Sequence, residues 1–282
     1  MTSMTAKFEI SPAEKKYATK TLDSEKLFAD VDPQVIHEFS KKFTIMVATH
    51  NRGTIVNKCM QNMVDHKRGA KLIIYDDGSE EYGPVFLKRF TPHVHLLEKG
   101  KGKPREAVAA IRTLMVKDFL ENHTSEYLYM ADSDAYHDPM WLARFQQMNN
   151  ELAGNWSGMT LFLSYYHTSN LRGSMQLMHG AAGISMLLRR DILQKEFPKF
   201  KYGSTLRAWD SVFSNAFCKR AVMCSDISYV EHIGYGGMNN KNSWERVRAR
   251  NATHYLIKAR RLLIPYYEAQ GMTGHSRKRE LQ

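Results

Sequence analysis

The sequence has no long apolar run: none reaches the roughly 18 residues that a membrane helix needs. Its first twenty residues are polar and mixed in charge, without the apolar centre of a secretory leader. Cysteine is scarce, with three in 282 residues: Cys59, Cys218 and Cys224. An odd number with no metal-ligand spacing points to free thiols rather than a disulfide framework. These absences predict a cytoplasmic protein. Internal repeats and low-complexity segments are also missing. Acidic residues are in the minority, 29 Asp and Glu against 40 Lys and Arg, and the formal net charge is +11. Such a surplus suits a polyanionic partner, nucleic acid or an anionic membrane surface. The length allows one large domain or two small ones and a sizeable core.

What is present is an alternation of strand-like and helix-like stretches. Asp32-Pro33 predicts the start of a short helix that runs to about Phe39, after a charged and weakly periodic segment. Residues 43–48 (Phe-Thr-Ile-Met-Val-Ala) read as a strand covered on both faces. They end in Thr49-His50-Asn51-Arg52-Gly53, and a helical pattern follows through Ile55, Val56, Cys59, Met60 and Met63. Residues 71–75 form a second strand ending in Asp76-Asp77-Gly78-Ser79, 85–90 a helix, and 94–97 a short third strand. A glycine and lysine loop over 99–105 precedes a long helix, from about 106 to 120, with apolar Val108, Ile111, Met115, Val116 and Phe119. The loop lacks the order of a Walker A motif, though as a basic loop beside a helix start it suits phosphate. The pattern predicts an α/β fold: a mostly parallel sheet with helices on both faces. Such sheets bind ligands at the carboxyl ends of their strands.

The fourth strand carries the chemistry. Residues 127–131 are apolar or aromatic and lead into Asp132-Ser133-Asp134. Side chains two apart on an extended chain point the same way, so both carboxylates can face one site. Two such charges repel each other, and a hard divalent cation relieves the repulsion and clamps a diphosphate. Further on, 159–163, 184–188 and 222–230 read as strands, and 210–217 as a helix with Trp209-Asp210 at its start. Asp210 has an ordinary reading as a helix N-terminal acid, and His232 as a structural histidine after a strand. Beyond residue 241, basic residues dominate around an apolar helical stripe.

Taken in order, these stations resemble the GT-A glycosyltransferases, in particular the large inverting family that includes cellulose and chitin synthases. The resemblance runs from Phe43 to about Gly237. It rests on Thr49-x-Asn51-Arg52, on Asp76-Asp77-Gly78-Ser79 and on Asp132-x-Asp134. It implies a GT-A, Rossmann-like domain over 41–238, with a nucleotide-sugar half (41–140) and an acceptor half (141–238). A peripheral arm (1–40) and a basic helical extension (239–282) flank it. It also implies a metal-dependent, inverting transfer from a nucleotide-sugar, usually a UDP-sugar. Thr49, Arg52, Asp76, Asp77, Arg105 and Asp132 would hold that donor. Asp134 and His232 would hold Mn²⁺ or Mg²⁺, and Asp210 would be the general base. Family members show an acidic pair at this last site, where this chain has Trp209 before Asp210.

The acceptor is read from the charge. Viral enzymes that glycosylate hydroxymethylated bases of DNA would need backbone-binding cations and an aromatic-lined pocket. The basic end of the chain would supply the cations, and Tyr165, Tyr166, His167 and Trp209 would line the acceptor side. Alternatives are a glycosyltransferase acting on a cell-surface glycan or a protein, and a non-catalytic nucleic-acid-binding protein. A dehalogenase-type phosphatase also carries Asp-x-Asp after a strand. It needs Thr or Val where this chain has Tyr136.

Overall fold

In a computed structural model of the protein, the described residues are 28–98, 104–162, 171–172, 175–178, 180–181, 183–201, 209–219, 221–225 and 228–232. Helix α1 (Pro33–Ser40) opens at the expected place, with the Asp32 carboxylate accepting from the Gln34 amide and Pro33 in the first turn. Strand β1 (Phe43–Thr49), helix α2 (Gly53–His66), strand β2 (Lys71–Asp77), helix α3 (Pro84–Lys88) and strand β3 (Val94–Leu97) follow. Helix α4 (Pro104–Asn122) leads to β4 (Tyr127–Asp132), β5 (Ala135–His137), α5 (Trp141–Glu151) and β6 (Gly158–Thr160). Strands β7 (Leu171–Arg172), β8 (Met175–Met178) and β9 (Ser185–Arg189) precede α6 (Arg190–Glu196) and α7 (Trp209–Cys218). Strands β10 (Val222–Ser225) and β11 (Val230–His232) complete the described elements.

The main sheet has the order β3-β2-β1-β4-β9-β6-β10-β8-β7. Strands β1 to β4 pair in parallel; β9 runs antiparallel to β4 and β6, and β8 antiparallel to β10. The sheet is therefore mostly parallel in direction, with β8 and β9 reversed. Helices cover both faces because the central strands are apolar on both. Ile45 and Val47 of β1 join Leu72, Ile74, Tyr129 and Ala131 in one core, against α1, α2 and α5. The alternate residues Met46, Ile73, Leu128 and Met130 join a second core, against α4, α6 and α7.

Two expectations change. Helix α1, assigned to a peripheral arm, buries Ile36 and Phe39 in the first core because its apolar face meets Phe43 at 5.1 Å between ring centres. The strand expected over 222–230 divides. The chain leaves the main sheet near Ser228, whose hydroxyl turns back onto the Leu161 and Val230 carbonyls. It then pairs as β11 with β5 in a separate two-stranded sheet, with His232 opposite Ala135.

Candidate active site

Parallel register places the polar strand ends side by side. Thr49 lies opposite Asp76, and Ala48 opposite Asp132. The turn after β1 is left-handed at Asn51 (φ 52°) and Arg52 (φ 63°), which reverses the chain into α2 within two residues. Asn51 sews this turn to the loop after β2. Its amide donates to Ser79 Oγ at 2.8 Å, and its side-chain oxygen accepts from the Glu80 and Glu81 amides. Both Asp76 oxygens are engaged by Ser79, one by the hydroxyl at 2.5 Å and the other by the amide at 3.2 Å. Asp76 thus shapes the Asp-Asp-Gly-Ser turn, with Gly78 at φ 63°, while Asp77 is half-buried at its rim. The Thr49 and Tyr82 hydroxyls meet at 2.5 Å.

The two carboxylates after β4 are held by different cations. Asp132 pairs with Arg112, a fully buried arginine of α4 whose Nη2 also donates to the Ala131 carbonyl at 2.9 Å. The Arg112 guanidinium lies 4.8 Å from the Trp209 ring centre, a cation–π contact made in a desolvated place. Burial draws Arg112 below the ordinary guanidinium value; Asp132 foremost, then Asp134 and Asp210, act against that shift. Asp134 Oδ2 accepts from Arg52 Nη1 at 2.9 Å and meets His232 Nε2 at 3.0 Å. Burial opposes its charge, but His232 and then Arg52 hold Asp134 well below the usual carboxylate range. Burial, joined by the charge of Asp134, pushes Asp132 up to about 6 against the pull of Arg112.

Asp210 stands in the first turn of α7. Its oxygens accept from the Ser211 amide at 2.7 Å and the Gly183 amide at 3.1 Å. Its charge is felt at Arg112 and Asp132, which puts it in the electrostatic neighbourhood of the carboxylate pair.

A divalent cation fits these residues in part by their own donors. Among the described residues no cluster of three or more His, Cys, Asp or Glu forms a self-contained metal cage. Asp134 and His232 nevertheless lie side by side, and Asp134 Oδ1 is buried without a partner among the described residues. One or two protein ligands suffice for a cation that completes its shell on substrate phosphates.

Of the residues singled out from the sequence, Thr49, Arg52, Asp76, Asp77, Asp132, Asp134 and His232 gather at the strand ends, with Asp210 nearby. Arg52 touches Asp134. Arg105 falls in the first turn of α4, and its side chain lies outside the described residues, as do the 99–103 loop, Tyr165, Tyr166, His167 and everything beyond His232. Trp209 was expected to line the acceptor side and instead is buried: Arg112 covers one part of its ring, and a Cβ on Gly183 would come within 2.5 Å of it. Sequence reasoning missed Arg112. It sits four residues after Val108 and four before Val116, a lone arginine on the apolar face of a helix, and that position was the available signal. Tyr82 and Asn62 were also missed. Asn62 grips the His137 backbone through two hydrogen bonds, at 2.7 and 3.0 Å, and so fixes β5; nothing in its sequence context marks it.

Residues 44–153 match the family model for Glycosyl transferase family 2. Over these residues the chain is similar to glycosyltransferases, and its fold is of the GT-A type. Particular relatives in structure include S. aureus TarS 1–349 in complex with UDP-GlcNAc, with a TM-score of 0.50, 13% identity, and coverage of 82% of this chain and 74% of that one. A longer crystal structure of S. aureus TarS has a TM-score of 0.49 and 15% identity over 67% of this chain, which spans 36% of its length. A197 from STIV gives 0.41 and 13%, over 67% of this chain and 83% of that one. At such identity the likeness is one of fold. No curated protein matches the chain.

Proposed function

We propose that the protein transfers a sugar from a nucleotide-sugar, a UDP-sugar, to an acceptor hydroxyl with inversion at the anomeric carbon. The observation that carries this is the convergence of Thr49, Asp77, Asp132, Asp134 and His232 at one end of the sheet, the first four of them within the segment that matches a glycosyltransferase family. The complex of a fold relative with UDP-GlcNAc supports the choice of donor. Asp77 and Thr49 would read the nucleoside, and Asp132 the ribose or sugar. Asp134 and His232 would hold Mn²⁺ or Mg²⁺, which neutralises the charge that develops on the departing diphosphate.

Asp210 is the general base. It takes the proton from the acceptor hydroxyl as the oxygen bonds to the anomeric carbon and the bond from that carbon to the diphosphate breaks. Its two backbone donors, Ser211 and Gly183, fix the orientation of the carboxylate. The excess of cations, +11, favours a polyanionic acceptor, and the class we assign is a hydroxymethylated base of DNA presented out of the stack. The test is release of UDP from a panel of UDP-sugars with Mn²⁺, with hydroxymethylated or unmodified DNA. Release only with modified DNA, reduced by about a hundredfold or more in Asp210→Asn, is the expected result. Release with a glycan or protein acceptor and none with modified DNA would overturn the acceptor; no release with any acceptor would overturn the transferase reading.

A further inference from the structure

Three buried polar atoms at the site have no hydrogen-bond partner among the described residues, Arg112 Nε, Asp134 Oδ1 and Arg52 Nη2, and the last two form a pair. One is an acceptor on an anion and the other a donor on a cation. They belong to groups already joined through their other atoms, Arg52 Nη1 to Asp134 Oδ2 at 2.9 Å. Buried polar atoms are rarely left unpaired in a finished structure, because each costs its lost hydration. The pair thus has two complementary openings, one for a cation and one for an anionic oxygen. A divalent cation bound to a diphosphate offers both at once; a bare cation offers only the first.

The local charge balance points the same way. Asp132 is matched by Arg112, and Asp134 by Arg52 together with His232 on the same oxygen, so the carboxylate pair already has its partners. A bare dication approaching Asp134 meets the like charge of Arg52 within the same hydrogen-bonded group. The left-handed backbone at Arg52, held by the Asn51 stitches to the next loop, keeps this guanidinium from being a freely swinging surface charge. About two-thirds of its side chain is covered.

We propose that Arg52 is a charge gate. It is the counter-ion of Asp134 in the metal-free protein, and it gives up that oxygen only when a diphosphate arrives to pair with its guanidinium. Metal and nucleotide are then taken up together, and free metal alone is excluded. The proposal rests on the donor-site reading above and adds an order of binding to it.

The experiment measures Mn²⁺ binding without nucleotide, by loss of the free-ion electron paramagnetic resonance signal, and UDP binding without metal, by calorimetry. The proteins are the wild type, Arg52→Gln, Arg52→Lys, and Asp134→Asn in the Arg52→Gln background. Removing one like charge a few ångströms from the cation should tighten Mn²⁺ binding in Arg52→Gln by about tenfold or more, while its metal-free UDP binding weakens. Arg52→Lys keeps the charge and should exclude Mn²⁺ as the wild type does. The added Asp134→Asn change should abolish the gained Mn²⁺ site.

If Arg52→Gln is less stable, Mn²⁺ alone should raise its melting temperature more than that of the wild type. Unchanged or weaker Mn²⁺ binding in Arg52→Gln, or a gained site that survives Asp134→Asn, would overturn the gate. Failure of wild-type protein to bind any nucleotide with Mn²⁺ would instead overturn the donor reading, and the Mn²⁺-only comparison keeps the two outcomes apart.

Discussion

Arg112 shows how one buried residue organises the site. It is the counter-ion of Asp132, it fixes the end of β4 through the Ala131 carbonyl, and it rests on Trp209. The Trp209 ring supplies the face on which Arg112 lies. Replacing Arg112 with Met removes the partner of Asp132 and the cation–π contact together. Asp132 keeps some access to water, so the loss should fall at the lower end for a broken buried pair, about 3 kcal/mol by urea denaturation. A loss below about 1 kcal/mol would mean that Arg112 is a bystander. At this scale the sequence marks Asp132, Asp134 and His232, and the structure brings His232 to Asp134. The reason for Trp209 was not legible, since a stacking partner 97 positions earlier leaves no local pattern.

Among elements, the β5–β11 pair is the decisive one. It carries His232 to Asp134 across 98 residues of sequence, and neither strand is longer than three residues. Strands so short give no periodicity to read, which is why one long strand was expected over 222–230. The long parallel strands were legible because burial on both faces makes them continuously apolar. The turn after β2 separates two adjacent acids. Asp76→Ala should lower stability, by about 1–3 kcal/mol for the unsatisfied Ser79 groups. Asp77→Ala should lower stability less than Asp76→Ala and weaken nucleotide binding. Equal effects of the two on stability would contradict this division.

Helix α4 supplies a pH test. Burial opposes the charge of Asp118, but hydrogen bonds from Tyr75, Asn122 and His123 hold its carboxyl below the ordinary value of 3.8. A carboxyl lowered on folding stabilises the fold above its unfolded value, and that gain is lost as the pH falls through the folded value. The stability difference between wild type and Asp118→Asn should therefore be largest near neutrality and shrink below about pH 4. A difference that is constant with pH would contradict the assignment.

For the described part of the molecule, helices cover both faces of the sheet, and the proposed donor residues meet at the strand termini. No helix among the described residues is long and apolar enough to cross a membrane. The central claim is that this end of the sheet is a metal-dependent nucleotide site. The most direct measurement is thermal unfolding with UDP, GDP, ADP or CMP, each with and without Mn²⁺. A ligand at about 100 times its dissociation constant stabilises the fold by roughly 2.7 kcal/mol. The account predicts a large upward shift with UDP and Mn²⁺ together, a small one with UDP alone, none with Mn²⁺ alone, and no gain from adding Mn²⁺ to UDP in Asp134→Asn. An absence of any shift with all four nucleotides would contradict it.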